Sequence, residues 1–438
     1  MLIDFTIENY RSIKAPQTLS LLATNAKEHP SNYFSLRNEP KIQLLKSTVI
    51  YGPNASGKSN IIKALKTMLK FIFLSTDLKL DQPIPYYDPF KFSSTGELEP
   101  TKFSFEFLVK DIRHRYSIAF NKHEILEEEL YYYPKKIQTK LFIRGKGESI
   151  DFGTSLIGPK KSIEEQLLKN VLFLSKAANS NNTTLQTIYR ELVSGFIVDF
   201  DSCTSSDTLL DRMTSMVISK GDAAANDIIK FMKKVDDSIF DIKIEKIDQN
   251  NIKLLFGENT SEEAKKTILD SLCYEAKFSH KINDNRQKTI DLELKDESAG
   301  TIKAFNLAGF IIISLHMGAT LVIDELNNSF HPIISRFIID LFNNKKSNPH
   351  NAQLIFTTHD THLLDPSLFR RDQIWFTEKN QAKETQLYSL SEFDYKEVRH
   401  NIPFEKWYLS GKFGAIPIVN DFDMSFKEDT DAQTESTD

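Results

Sequence analysis

The chain has 438 residues, 40% hydrophobic and 26% charged, a globular composition that excludes disordered and fibrous classes. Its two cysteines, Cys203 and Cys273, exclude a disulfide framework and point to a reducing, cytoplasmic setting. The formal net charge is −5, but Asp421 to Asp438 carries seven acids and one lysine. The body is therefore near neutral, which argues against a dedicated nucleic-acid coat protein.

The first residues, MLIDFTIENYRS, carry acids and no apolar core segment, which is unlike a signal peptide. The same stretch alternates apolar and polar residues from Ile3, the pattern of a half-buried strand. A second, β-branched strand runs from Ser47 to Gly52, and a helical pattern starts at Ser59. Phe103, Phe105, Phe107 and Val109 alternate, a polar turn follows from Lys110 to His114, and Tyr116, Ile118 and Phe120 alternate again. That is an antiparallel hairpin, with EEELYYYP extending it into a meander.

From Ser162 to Asp270 apolar residues recur every three or four positions, predicting a compact helical insertion. From Asp291 to Val419 strands and helices alternate (LVIDE, HPIISRFIIDLF, AQLIFTTHD, DQIWFTE), predicting a parallel sheet. The expected organisation is four-part: 1–160 and 291–420 as two halves of one α/β unit, 161–290 as the insertion, and 421–438 as a disordered acidic tail. Ala304 to Ile323 is uncharged and near membrane-spanning length, but it contains Asn306, His316 and Gly318 and runs into Asp324 and Glu325. A buried helix, a turn at Met317–Thr320 and a buried strand explain it better, so no membrane is expected.

Four segments carry chemistry. Gly52, Pro53, Asn54, Ala55, Ser56, Gly57, Lys58 and Ser59 fill every fixed position of G-x-x-x-x-G-K-[ST]. The glycines let backbone N–H groups wrap a phosphate, Lys58 supplies charge to the β- and γ-phosphates, and Ser59 offers a hydroxyl to Mg²⁺. The strand Leu321-Val322-Ile323 delivers Asp324, a second Mg²⁺ ligand, and Glu325, a general base for water. The strand Ile355 to Thr358 delivers His359, placed to sense a γ-phosphate. Ser298 and Gly300 stand before the apolar helix, where a phosphate site has a use only if two chains cover each other's nucleotide.

Taken with IENYRSIK (Ile7 to Lys14), DESAGTIKAF (Asp296 to Phe305), VIDELNNSFHP (Val322 to Pro332) and YLSGKFGAIP (Tyr408 to Pro417), these motifs resemble an ABC-type, SMC/Rad50/RecF-like ATPase head. Within that group the chain most resembles the AAA15 family of RloA/AbiL-like anti-phage defence ATPases. The resemblance spans both ends of the chain but not its helical middle. It implies a P-loop NTPase head of mixed α/β sheet, with an antiparallel meander and a helical insertion. It further implies ATP held by Gly52 to Asn60, Mg²⁺ on Ser59 and Asp324, and catalysis by Glu325, His359 and Lys58.

Asn327 to Ser329 would form the D-loop, Ser298 and Gly300 the signature facing the partner chain, and Arg11 an arginine near the nucleotide. The chain departs from the ABC pattern at Glu297, where leucine is usual, and at Ala55, where many heads have glycine. Gln82 is the nearest glutamine to a Q-loop position. The function implied is an ATP-driven homodimer, with higher oligomers open, that regulates a separate toxin or nuclease, since the chain carries no nuclease constellation. The alternative is a DNA-repair or DNA-clamp ATPase, for which Lys135, Lys136, Lys160 and Lys161 are the available patch.

Overall fold

The computed structural model describes residues 1–93, 95–96, 98–198, 207–248, 266, 269–270, 272–282, 285–393 and 402–417. The acidic segment 421–438 and Cys203 lie outside the described residues. Two large sheets organise the rest. The first is antiparallel, seven-stranded, in the order β10-β9-β8-β7-β6-β1-β2. Its members are β1 (Leu2–Glu8), β2 (Gln17–Ser20), β6 (Thr101–Val109), β7 (Ile112–Phe120), β8 (Ile125–Tyr132), β9 (Thr139–Gly145) and β10 (Asp151–Phe152). The expected hairpin is β6–β7, with a tighter turn than the five residues read from sequence. Only Lys110 and Asp111 connect the strands, both at positive φ (49° and 61°), the type I′ geometry that matches strand twist.

The second sheet has the order β11-β15-β16-β5-β17-β18. It comprises β5 (Ser47–Tyr51), β11 (Phe196–Val198), β15 (Thr320–Ile323), β16 (Gln353–Thr357), β17 (Ile374–Lys379) and β18 (Thr385–Ser389). All neighbours run parallel except the edge pair β17–β18. β5, β15 and β16 are buried along their whole length, because both faces of the sheet are covered. Ile50, Val322 and Ile355 enter one core with the antiparallel sheet and α1 (Lys58–Leu74). Val49, Tyr51, Leu321 and Phe356 enter a second core on the opposite face.

The intervening segment holds α2 (Lys161–Glu164), α3 (Phe173–Asn179), α4 (Thr183–Ser194), α5 (Asp207–Ser219) and α6 (Ala223–Val235). It also carries strands the helical reading did not include. β12 (Ile239–Lys246), β13 (Tyr274–Ile282) and β14 (Asn285–Glu293) form a three-stranded antiparallel sheet. Its ladder is laced with charge, Lys243 to Asp291 and Lys277 to Glu245, and that polar alternation hides a strand from a search for apolar periodicity. A two-stranded ribbon, β3 (Tyr33–Ser35) with β4 (Gln43–Leu45), completes the sheets.

The uncharged stretch is α7 (Ala299–Met317) followed by β15, as expected. α7 is long and apolar enough to cross a membrane, yet 67% of its apolar window is buried inside the fold. It stops at Gly318, whose φ of 69° closes the helix where a side chain would strike the His350 backbone. α8 (Pro332–Asn343) and α9 (Phe404–Leu409) pack in the second core. The two ends of the chain meet through Gln353 in β16. Its side chain accepts from Leu2 N–H (2.7 Å) and donates to the carbonyls of Leu2 (2.9 Å) and Leu45 (3.2 Å).

Candidate functional site

β5, β15, β16 and β17 point their carboxyl ends to one edge, and each delivers a polar residue there. Gly52 to Lys58 leaves β5, Asp324 and Glu325 leave β15, His359 follows β16, and Lys379 ends β17. Loops at the carboxyl edge of a parallel sheet are where such folds hold ligands. Asn54 to Asn60, Glu325, His359 and Lys379 line one cleft there.

Two glycines make the loop possible. Gly57 has φ of 115°, and a side chain on it would collide with Thr385 of β18. A side chain on Gly52 would collide with Thr377 of β17 and with Ser56. The loop thus lies flat against the sheet edge, pinned by Ser56 Oγ to Thr377 Oγ1 (2.6 Å) and by Thr385 Oγ1 to the Ser56 carbonyl (2.8 Å). Ala55, where many heads have glycine, holds a positive φ of 62° and is exposed. α1 then starts with no side-chain cap and no acid in its first turn, so its amino end keeps its positive character toward an anion.

Lys58 is buried and donates to the carbonyls of Gly52 (2.8 Å) and Pro53 (3.1 Å). Burial lowers its pKa, and Asp324 and Glu325 work against that shift. Asp324 accepts the Thr357 hydroxyl at 2.5 Å, and the same Thr357 oxygen receives the Glu325 N–H at 2.7 Å. Thr357 therefore fixes both acids, and Glu325 is held at φ of 55°, a left-handed turn that aims it away from the strand. His359 Nε2 stands 3.9 Å from Glu325 Oε1, both side chains partly exposed. Burial and the Lys58 charge lower the His359 pKa, against the pull of Glu325 and Asp324. The ring is thus biased toward its neutral form.

Asn327 accepts from the Thr358 hydroxyl (2.7 Å) and the His359 N–H (3.4 Å), tying the turn after Glu325 to the histidine loop. Ser59 and Asp324 are a hydroxyl and a carboxylate, hard oxygen donors that suit Mg²⁺ completed by phosphate and water. Among the described residues no group of three or more His, Cys, Asp or Glu could hold a metal.

Other expected residues sit near this cleft or apart from it. Arg11 does not line it; its Nε pairs with Asp88 (2.9 Å) and one NH group reaches Asn60 Oδ1 (3.4 Å), in an adjoining groove shared with Lys379. Gln82 lies in an exposed turn, accepting from Lys79 N–H at 3.0 Å, and does not line the cleft. Ser298 is exposed and caps α7, accepting from Thr301 N–H at 3.1 Å. Gly300 faces the Ser329 carbonyl, leaving 3.2 Å for an added carbon, so the segments holding Gly300 and Ser329 approach closely within one chain.

The segment Tyr408 to Pro417 packs behind the site. Tyr408 stacks on Phe376 with ring centres 5.6 Å apart and lies 6.0 Å from Tyr51, whose hydroxyl donates to the Asp360 carbonyl (3.2 Å). Sequence reading missed Lys379, although the rule that found His359 (a polar residue just past a buried strand) applies equally to IWFTEK. It missed Thr357, Thr377 and Thr385 because buried strand threonines leave no mark in a hydropathy pattern.

Fold and cleft together define a P-loop nucleotide-binding protein. More particularly, the chain belongs to the family described as "AAA domain, putative AbiEii toxin, Type IV TA system", whose profile matches residues 47–365. Among curated proteins no sequence matches the chain. Among solved structures it is similar to an SMC head bound to the C-terminal winged-helix domain of ScpA (TM-score 0.45, 12% identity, covering 91% of this chain and 99% of that one). It is also similar to the SMC head domain from Thermotoga maritima (TM-score 0.39, 14% identity, 89% and 98%). A third similar structure is the Pyrococcus furiosus Smc head with an extended coiled coil, bound to the C-terminal domain of ScpA (TM-score 0.42, 10% identity, 90% and 97%).

Proposed function

We propose that the chain is an ABC-type ATPase head that binds and hydrolyses ATP as a homodimer and regulates a separate toxin or nuclease in anti-phage defence. The observation that carries the ATPase reading is the convergence of Lys58, Glu325 and His359 on one cleft beside the P-loop. The backbone of Asn54 to Ser59 and the Lys58 ammonium take the phosphates. Glu325 accepts a proton from water as the water oxygen attacks the γ-phosphorus and the bond to the β-phosphate oxygen breaks. His359, largely neutral, donates to the charge that builds on the γ-phosphoryl oxygens. Mg²⁺ held by Ser59 and Asp324 would supply charge neutralisation on the β- and γ-oxygens.

The dimer reading rests on Ser298 and Gly300. They are exposed or half-exposed at the amino end of a long helix, and neither lines the chain's own phosphate cleft. A second chain is what would bring them to a γ-phosphate. The regulatory role and the cytoplasmic setting rest on the resemblance to RloA/AbiL-like ATPases and on a family description that itself names a toxin system. Of the lysines open to the DNA-clamp alternative, Lys135 and Lys136 are exposed, whereas Lys160 and Lys161 are engaged within the chain. Lys160 donates to the Leu156 carbonyl, and Lys160 and Lys161 both lie over the Phe152 ring.

The test is steady-state ATP turnover of the purified chain beside Lys58→Ala and Glu325→Gln, with sedimentation of each in ATP. Lys58→Ala is expected to lose binding and turnover, and Glu325→Gln to lose turnover while accumulating the ATP-bound dimer. Wild-type turnover in both variants refutes the site, and a monomer in every nucleotide state refutes the dimer.

A further inference from the structure

Ser298 is one member of a hydrogen-bonded ring whose other members come largely from the insertion. Thr301 Oγ1 lies 2.8 Å from Ser298 Oγ and 2.8 Å from Asp236 Oδ2. Asp236 Oδ1 accepts from the N–H (3.1 Å) and hydroxyl (2.6 Å) of Ser238. Ser238 Oγ is 3.3 Å from His280 Nδ1, and the other ring nitrogen of His280 is 2.8 Å from Glu297 Oε1. Glu297 precedes Ser298, so the ring closes on α7. Asp236 ends α6 and His280 sits in β13, so three elements meet at this one helix end. Glu297 stands where related heads have leucine, and an aliphatic side chain there would leave the ring open.

Hydrogen counting gives the ring a direction. A hydroxyl has one hydrogen to donate, and an ionised carboxylate only accepts. Burial alone would raise the Asp236 pKa, but hydrogen bonds from Ser238 and Thr301 and the nearby His280 hold it below the ordinary carboxylate value. Thr301 therefore gives its hydrogen to Asp236. The contact between the Ser298 and Thr301 hydroxyls must then be made by the hydrogen of Ser298, which points inward. What Ser298 offers outward is lone-pair density, the wrong polarity for phosphate.

We propose that Asp236, acting through Thr301, is a positioning residue that withholds the Ser298 hydroxyl hydrogen from a second chain's γ-phosphate until the insertion moves away from α7. This deepens the dimer reading above and rests on it. When Asp236 leaves, Thr301 can donate to Ser298, and Ser298 can donate outward. A partner that pulls on α6 or β13 thereby adjusts the affinity of one head for another without touching the P-loop.

The sign is what separates this from a structural role. Asp236→Ala is expected to lower the protein concentration for half-dimerisation in ATP about ten- to a hundredfold, the worth of one net hydrogen bond at each of the two equivalent sites. Affinity for ADP, taken up by the P-loop of a single chain, is expected to stay unchanged. Thr301→Val, which keeps the capping N–H but removes the hydroxyl, shifts dimerisation the same way and substitutes if Asp236→Ala folds poorly. In a Ser298→Ala background neither change strengthens the dimer. Weaker or unchanged dimerisation in both Asp236→Ala and Thr301→Val overturns the inference while leaving the dimer reading intact. Equal strengthening of the dimer by Asp236→Ala and Thr301→Val when Ser298 is already alanine overturns the reading of Ser298, and the inference with it.

Discussion

The two large sheets each hold a carboxylate at a critical place, and they treat it in opposite ways. In the antiparallel sheet Glu128 is fully buried and answered on every side. It accepts from the Tyr116 hydroxyl (2.9 Å), the N–H groups of Phe173 (2.7 Å) and Leu174 (2.9 Å), and Arg144 (3.4 Å). At the edge of the parallel sheet Glu325 is half-exposed, and its carboxylate stands 3.9 Å from the His359 ring. A buried charge with all its lone pairs met is a joint, here fastening β8 to the start of α3. A charge fixed through its backbone but left open at its carboxylate is a tool. The comparison teaches that satisfaction, more than burial, separates the residues that hold the fold from those that act.

The contrast breaks most easily at Glu325. Glu325→Gln keeps the shape and removes the proton acceptor, so ATP turnover should fall by about two to four orders of magnitude with the melting temperature unchanged. Glu128→Ala should do the reverse. It leaves the Tyr116 hydroxyl and the N–H groups of Phe173 and Leu174 unanswered in the core and takes the carboxylate from Arg144, which keeps its backbone carbonyls, costing about 3–5 kcal/mol in a urea titration. ATP affinity of the fraction that stays folded should be retained.

His114 offers a sharper version on the structural side. It is buried in β7 with its Nδ1 3.0 Å from the Ile112 carbonyl, and burial lowers its pKa from 6.5 to about 4. The unfolded chain therefore binds the proton first. Stability should be full above pH 6.5 and decline as pH falls toward 4, by about 3 kcal/mol at one group. His114→Phe should remove that share of the acid sensitivity and leave the rest. His359→Ala should cost turnover about 10- to 100-fold, as for one charge-assisted hydrogen bond. Lys379 is exposed, so Lys379→Ala should raise the KM for ATP only about two- to fivefold, with kcat unchanged.

Much of this arrangement is legible in the chain. The P-loop, the strand into Asp324 and the strand into His359 are read from residue type and spacing, because the chemistry demands those types after buried β-branched runs. What the sequence withholds is lateral order. That β5 lies between β16 and β17, so that Thr377 and Thr385 flank the P-loop, follows from tertiary packing and has no local signal. Strands β12 to β14 escape for another reason. Ile239, Ile242, Ala276 and Phe278 turn into the second core, but the outward positions carry ion pairs such as Lys243 with Asp291, and that charge reads as solvated loop. Arg11 is legible as an arginine near a nucleotide only through resemblance, and its engagement with Asp88 places it one groove away from the P-loop cleft.

The central position of β5 has a consequence for synthesis. Its two neighbours emerge from the ribosome about 300 residues later, and Gln353, which ties Leu2 into the sheet, emerges with them. At about 5–20 residues per second, the phosphate-binding strand waits roughly 15–60 s without a flank on either side. Throughout that interval its apolar edges are open to chaperones and to other nascent chains. Expression temperature and the pace of translation through the insertion should therefore govern the yield of native protein more strongly than the stability of the finished molecule does.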